Sequence, residues 1–300
     1  MIALAAALLA LQPAAETDPI AQLISATGEA SDSAEMSVAR PLGCAGDFVE
    51  GALIACNWGG ESRVTLGERT FTSDDQGWVL IGIPRQAPER LTFRVEANNQ
   101  GWTTLVDDVR EIAQREYRLQ RINGVPQSTV TPDPSTLPRR QREYAQKQAA
   151  FNSVWDGTGF VDGFISPTEG VMTGVFGSAR VYNDGAERGV HWGIDVANAV
   201  GTPVVAPAGG IVTLAEDDMF FEGGLIFIDH GQGMVSAFLH LSDVHVAEGD
   251  IVEQGQLIGD MGATGRSTGS HLDWRVKLRN ELYVDPQLLL DLDFADLQAR

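Results

Sequence analysis

Cationic residues are scarce in this chain: 21 Lys and Arg stand against 41 Asp and Glu, a formal net charge of -20 over 300 residues. So acidic a chain repels other polyanions, which argues against nucleic acid or anionic lipid as the main partner. Cysteine is nearly missing, with two residues, and aromatic residues make up only 7%. Long apolar runs are lacking as well: no stretch reaches the roughly 20 residues that a membrane-spanning helix needs. A charged fraction of 21%, with 33 Gly and 13 Pro, excludes collagen, coiled coil and wholesale disorder. The 43% of hydrophobic residues suffices for two modest domains with cores of their own.

The opening MIALAAALLALQPAA (1–15) is almost purely apolar and stops at Glu16. It is too short to span a bilayer and fits the core of a secretory signal, with Ala14 and Ala15 as small residues for cleavage. The Lys or Arg that usually precedes such a core is missing. We therefore expect an exported protein, periplasmic or extracellular. Cys44 and Cys56 then read as one local disulfide, with two buried thiols as the alternative. A zinc site on these two would need histidines nearby, and none precedes His191.

Residues 16–37 carry Glu16, Asp18, Glu29, Asp32 and Glu35 with no basic residue, which reads as a solvated acidic lead-in. From 38 to 122 the texture is β. Runs such as RVTLGERTFTSD, GWVLIGIP and RLTFRVEA read as apolar–polar alternation between turns, suiting a small sandwich. Residues 123–159 hold a Pro- and Ser/Thr-rich linker followed by strong helix formers over Pro138 to Ala150, with a basic polar surface expected to face solvent. Residues 160–290 are again β-like and rich in glycine. The tail, counted from 291 to 300, belongs to a stretch after Pro286 that reads equally as a docking helix or a frayed end.

All five histidines fall between 191 and 271, a first sign of a site. In GVHWGIDVA, Gly193 and the β-branched Ile194 and Val196 argue against a helix. On an extended segment His191 and Asp195, four apart, face the same way, as a metal site requires. In SAFLHLS, His240 sits in an apolar strand, where a lone histidine is more often a core residue. In TGRSTGSHLDWRV, His271 and Asp273 are two apart and share a face, while Gly265 and Gly269 allow close approach of the loop before them. Trp192 and Trp274 should face away from the metal. His230 reads as a turn cap, His245 as a surface residue and Arg266 as a solvated loop residue.

Each piece is weak alone. In the order HxxxD, LHLS and GxxTGxHxD, together with GTPVVAPAGGIV, DHGQGMVSAFLHLS and VEQGQLIGDMGATGRSTGSHLDW, the chain resembles the lysostaphin-type (LytM-like) zinc endopeptidases of peptidoglycan over about 130 residues. The layout is similar to a proteobacterial subset with an Ig-like domain ahead of the peptidase. The resemblance implies a mainly β fold: an N-terminal Ig-like sandwich, a short helical linker and a C-terminal antiparallel peptidase domain with a duplicated hybrid motif. It implies one Zn2+ held by His191, Asp195 and the residue at 273, with His240 and His271 in catalysis. The implied substrate is a stem or cross-link peptide of peptidoglycan in a Gram-negative envelope, and protein regulators are conceivable partners.

The chain departs from that pattern at Asp273, where the family has His, and at Ser270, where proline is usual. Zinc takes imidazole nitrogen and carboxylate oxygen at similar distances, about 2.0–2.2 Å, so Asp can serve as a ligand. A His–Asp–Asp set neutralises the dication, whereas His–Asp–His leaves one positive charge. We expect a shifted pH optimum or a preference for a harder metal such as manganese or magnesium. The competing expectation is a peptidase-like module that no longer cuts and instead binds or activates a cell-wall hydrolase.

Overall fold

A computed structural model describes residues 43–185, 187–294 and 297, and the chain is mostly β with chiefly antiparallel sheets. The expected signal (1–15) and acidic lead-in (16–37) lie outside the described residues. In the first part, Leu53–Asn57 pairs with Cys44–Ala45 on one side and Trp78–Gly82 on the other. Cys44 and Cys56 face each other across the first pair and form a disulfide. Arg69–Thr72, Ser62–Leu66, Arg90–Asn98 and Trp102–Glu111 build a four-stranded antiparallel sheet.

The two sheets differ in burial. Ser62–Leu66 alternates, with Val64 and Leu66 buried toward Ile54, Cys56, Val79 and Ile81 of the small sheet. The small sheet is buried on both faces. Its Leu53, Ala55, Trp78 and Leu80 point the other way into a core shared with Phe238, Trp274 and Phe294. GWVLIGIP therefore does not alternate; it is the continuous apolar run of a strand covered on both sides. Each fully buried large side chain contributes about 1.5–3 kcal/mol of transfer free energy, and through this shared layer the described residues pack as one unit.

In the second part, the main sheet runs in the order Ile251–Val252, Gly210–Met219, Gly223–Asp229, Met234–Val244, His271–Leu278, Gly193–Ala197 and Val171–Gly174. Leu119–Ile122, at the end of the first part, adds in parallel to Ala179–Tyr182, which pairs antiparallel with Glu187–Val190. The chain leaving the first part thus becomes a wall beside the site. The expected helix spans Leu137–Phe151 and has Pro138 in its first turn. It packs rather than floats: Phe151 lies 4.3 Å from Phe227 between ring centroids, and Arg139 and Lys147 pair with Glu143, Asp218 and Glu222. After Pro286 a helical turn, capped by the Asp285 carboxylate, leads to Leu289, Leu292 and Phe294, all buried in the shared core. That stretch docks. No described helix is long and apolar enough to cross a membrane.

Candidate metal centre

Two neighbouring strands set the centre. Gly193–Ala197 pairs antiparallel with His271–Leu278, in a register that places Asp195 opposite Asp273. Directly opposed residues on one face stand about 5 Å apart at Cβ, near enough for two carboxylates to share a cation. Two glycines permit this closeness. A Cβ on Gly193 would press on the Trp274 carbonyl oxygen and come within 2.9 Å of Asp273 Oδ1; one on Gly174 would run into Asp195 Oδ2.

His191 sits just before its strand and turns inward, 1% exposed. Its Nε2 lies 3.2 Å from Asp195 Oδ1 and its Nδ1 3.9 Å from Asp273 Oδ2. One ligand atom each from His191, Asp195 and Asp273 falls within 4.8 Å of the others. Both ring nitrogens of His191 and Oδ1 of Asp195 are buried without a hydrogen-bond partner. Orphans of this kind cost about 1–3 kcal/mol each, so their presence beside one another needs an explanation. Burial pushes the His191 imidazole down to about 4 against the pull of the Asp273 and Asp195 charges. It is neutral at neutral pH, the form that ligates.

Each carboxylate is held by an arginine. Arg180, on Ala179–Tyr182, ion-pairs with Asp195 Oδ2 and donates from Nε to Gln120 Oε1 at 3.2 Å. Arg275 donates from Nε to Asp273 Oδ1 at 3.0 Å and from Nη2 to Oδ2 at 2.6 Å. Burial alone would raise Asp273. The Arg275 charge and hydrogen bonds overcome this and hold the carboxyl well below the usual range.

The two remaining histidines stand side by side, ring centroids 4.8 Å apart. His271 Nδ1 bonds the Gly269 carbonyl at 2.8 Å, and its Nε2 is 3.8 Å from Asp195 Oδ1. His240 Nδ1 bonds the Thr264 carbonyl at 2.9 Å. A carbonyl only accepts, so Nδ1 carries the proton in both rings and Nε2 is left as a base. His240 is not an ordinary strand residue. The register skips it, Gly224 facing Leu241 and Leu225 facing Leu239, and its φ is +69°. This bulge turns a side chain in an apolar strand toward the site, at a backbone cost tolerated where function demands it. Burial pushes His240 down to about 4.

All five candidate residues are thus brought together. Asp195, His240, His271 and Asp273 line a cavity of about 540 Å3, with Arg121, Arg180, Arg266 and Arg275 also on its walls. The histidines set aside stay away: His230 is buried between the Gly209 carbonyl and Ser236 Oγ, and His245 pairs with Asp260. Trp274 is fully buried and donates to Ser236, and Trp192 stacks on Tyr283. Arg266 lies over the Tyr182 and Phe221 rings rather than in a solvated loop. Arg275 was readable in HLDWRV, two residues beyond Asp273 on the same face. Arg180 and Gln120 carried no such signal, because only the sheet pairing brings them in.

With this geometry in hand, the relatives are informative. The family model described as peptidase family M23 matches residues 189–286, which contain all five residues. The chain carries a peptidase M23 domain. It is 34% identical over 112 residues to the peptidoglycan DD-endopeptidase ShyC of Vibrio cholerae, covering 37% of this chain and 25% of that one. It is 31% identical over 156 residues to the murein hydrolase activator NlpD of Salmonella dublin, covering 52% and 38%. The chain therefore spans well under half the length of these curated relatives. A crystal structure described as an M23 peptidase of Pseudomonas aeruginosa superimposes with a TM-score of 0.59 at 28% identity, over 81% of this chain and 95% of that one. This likeness extends the shared fold well beyond the M23 domain itself.

Proposed function

We propose that the chain is an exported, metal-dependent endopeptidase that hydrolyses stem or cross-link peptides of peptidoglycan. The observation that carries this reading is the grouping of one ligand atom each from buried His191, Asp195 and Asp273 within 4.8 Å, with the His191 nitrogens and Asp195 Oδ1 unpartnered and both carboxylates on the wall of a cavity. These donors fit a divalent cation: one neutral imidazole and two carboxylates suit zinc, and the oxygen-rich set also suits manganese. Bound there, the cation supplies the Lewis acidity that amide hydrolysis needs.

The chain's own residues do the rest. His191, Asp195 and Asp273 hold the cation, and Arg180 fixes Asp195. His271 and His240 present unprotonated Nε2 atoms toward the same space. One accepts a proton from the attacking water and delivers it to the amine nitrogen that leaves as the peptide bond breaks; the other takes up a solvent proton and hydrogen-bonds the oxygen on which charge develops. Arg121 and Arg266, on the cavity wall, suit a substrate carrying carboxylates. The expected signal, the Cys44–Cys56 disulfide and the peptidoglycan-directed names of the relatives support an envelope location. We also propose the division into a sandwich (38–122), linker and helix (123–159) and peptidase domain (160–290).

A second reading is favoured by one observation: Arg275 engages both oxygens of Asp273. In that reading the domain binds peptidoglycan or a hydrolase without cutting, in keeping with the activator name of the Salmonella relative. Metal analysis combined with digestion of purified sacculi separates the two. The enzyme retains about one divalent cation per chain and releases peptides; the module does neither.

A further inference from the structure

Nothing in the hydrolytic scheme uses Arg275, yet it holds one corner of the centre. Asp273 is 1% exposed, whereas the Arg275 side chain is 27% exposed and lines the cavity. The carboxylate is sealed, while its partner reaches open space into which it can swing. The other carboxylate is treated differently: Arg180 takes Oδ2 of Asp195 and leaves Oδ1 bare. The two carboxylates and the two guanidinium groups they pair with already balance. A dication added to this set brings two uncompensated charges into a partly dry site, which is costly at low dielectric.

We infer that Arg275 is a built-in competitor for the cation: its guanidinium occupies both oxygens of Asp273, and a divalent metal completes its coordination by displacing it. This inference deepens the metal-centre reading above and rests on it. Loading of the centre is thereby set by a contest between free metal and one tethered guanidinium. Arginine suits that role, because its planar fork matches a carboxylate at two points where lysine offers a single point charge.

The test uses the full chain stripped with chelator, titrated with zinc by calorimetry and followed by thermal unfolding with and without zinc. Wild type is compared with Arg275→Gln and Arg275→Lys. The Gln variant should bind zinc at least tenfold tighter than wild type. It should melt below wild type without zinc, since Asp273 has lost its partner, and gain more than wild type on zinc addition. The Lys variant keeps the charge without the two-point grip and should bind about threefold tighter. If the Gln variant does not fold, the Lys variant decides alone. Zinc binding equal to wild type, or weaker, in the folded variants overturns the inference and leaves the metal reading standing. No zinc bound by any of the three proteins overturns both. Zinc bound by the Gln variant alone upholds the inference and contradicts a metal-loaded wild-type enzyme.

Discussion

Asp195 and Asp273 face each other across one strand pair, and each is backed by an arginine, but they are not equivalent. Asp195 has one oxygen engaged by Arg180 and one free beside His191. Asp273 has both oxygens engaged by Arg275. The first is pre-organised for a cation and the second is pre-empted. One centre thus combines a corner built to bind with a corner built to resist.

The largest effects should come from the open corner. His191→Ala and Asp195→Ala should each take bound metal from about one per chain to none, with loss of sacculus digestion, read by elemental analysis and peptide release. Activity persisting in either would break the comparison at its strong side. His271→Ala should keep the metal and lower turnover by about 10²–10⁴-fold, as expected for removal of a general acid–base group. Asp273→Ala should weaken metal binding less than His191→Ala or Asp195→Ala does, because Arg275 already competes for this carboxylate. Full metal content and full activity in Asp273→Ala would show that this carboxylate is no ligand.

A pH effect sharpens the same contrast. Burial pushes His191, His230 and His240 each down to about 4 in the folded chain. The unfolded chain, with histidines near 6.5, binds more protons between those values. Stability of the chelated protein should therefore be intact above about pH 6.5 and decline as pH falls toward 4, by up to about 3 kcal/mol per histidine. Urea midpoints measured across that window would show it; a flat profile would mean that these rings are not held neutral. The smallest effect is a control: His245→Ala, in an exposed pair with Asp260, should change stability by no more than about 1 kcal/mol and leave metal binding unchanged.

Much of the centre was legible in the sequence because strand alternation is a local rule. His271 and Asp273 share a face by spacing alone, and Arg275 follows by the same rule, whereas His191 precedes the strand that carries Asp195 and reaches it by turning inward. What escaped depends on pairing between distant strands. Arg180 reaches Asp195 only because Ala179–Tyr182 lies beside it, and Gln120 arrives through a parallel pairing that no local pattern announces. The bulge at His240 is a two-strand register property, invisible in SAFLHLS taken alone. Likewise, the two-sided burial of Trp78–Gly82 reflects what packs on its far face, which a run of apolar residues permits but does not specify.

The most direct test is a crystal grown with zinc and measured on both sides of the zinc absorption edge. The account predicts one anomalous peak about 2.0–2.2 Å from His191, Asp195 and Asp273, with Arg275 turned away from the carboxylate. Asp273 still gripped by Arg275, with no peak between it and His191 at saturating zinc, would contradict it.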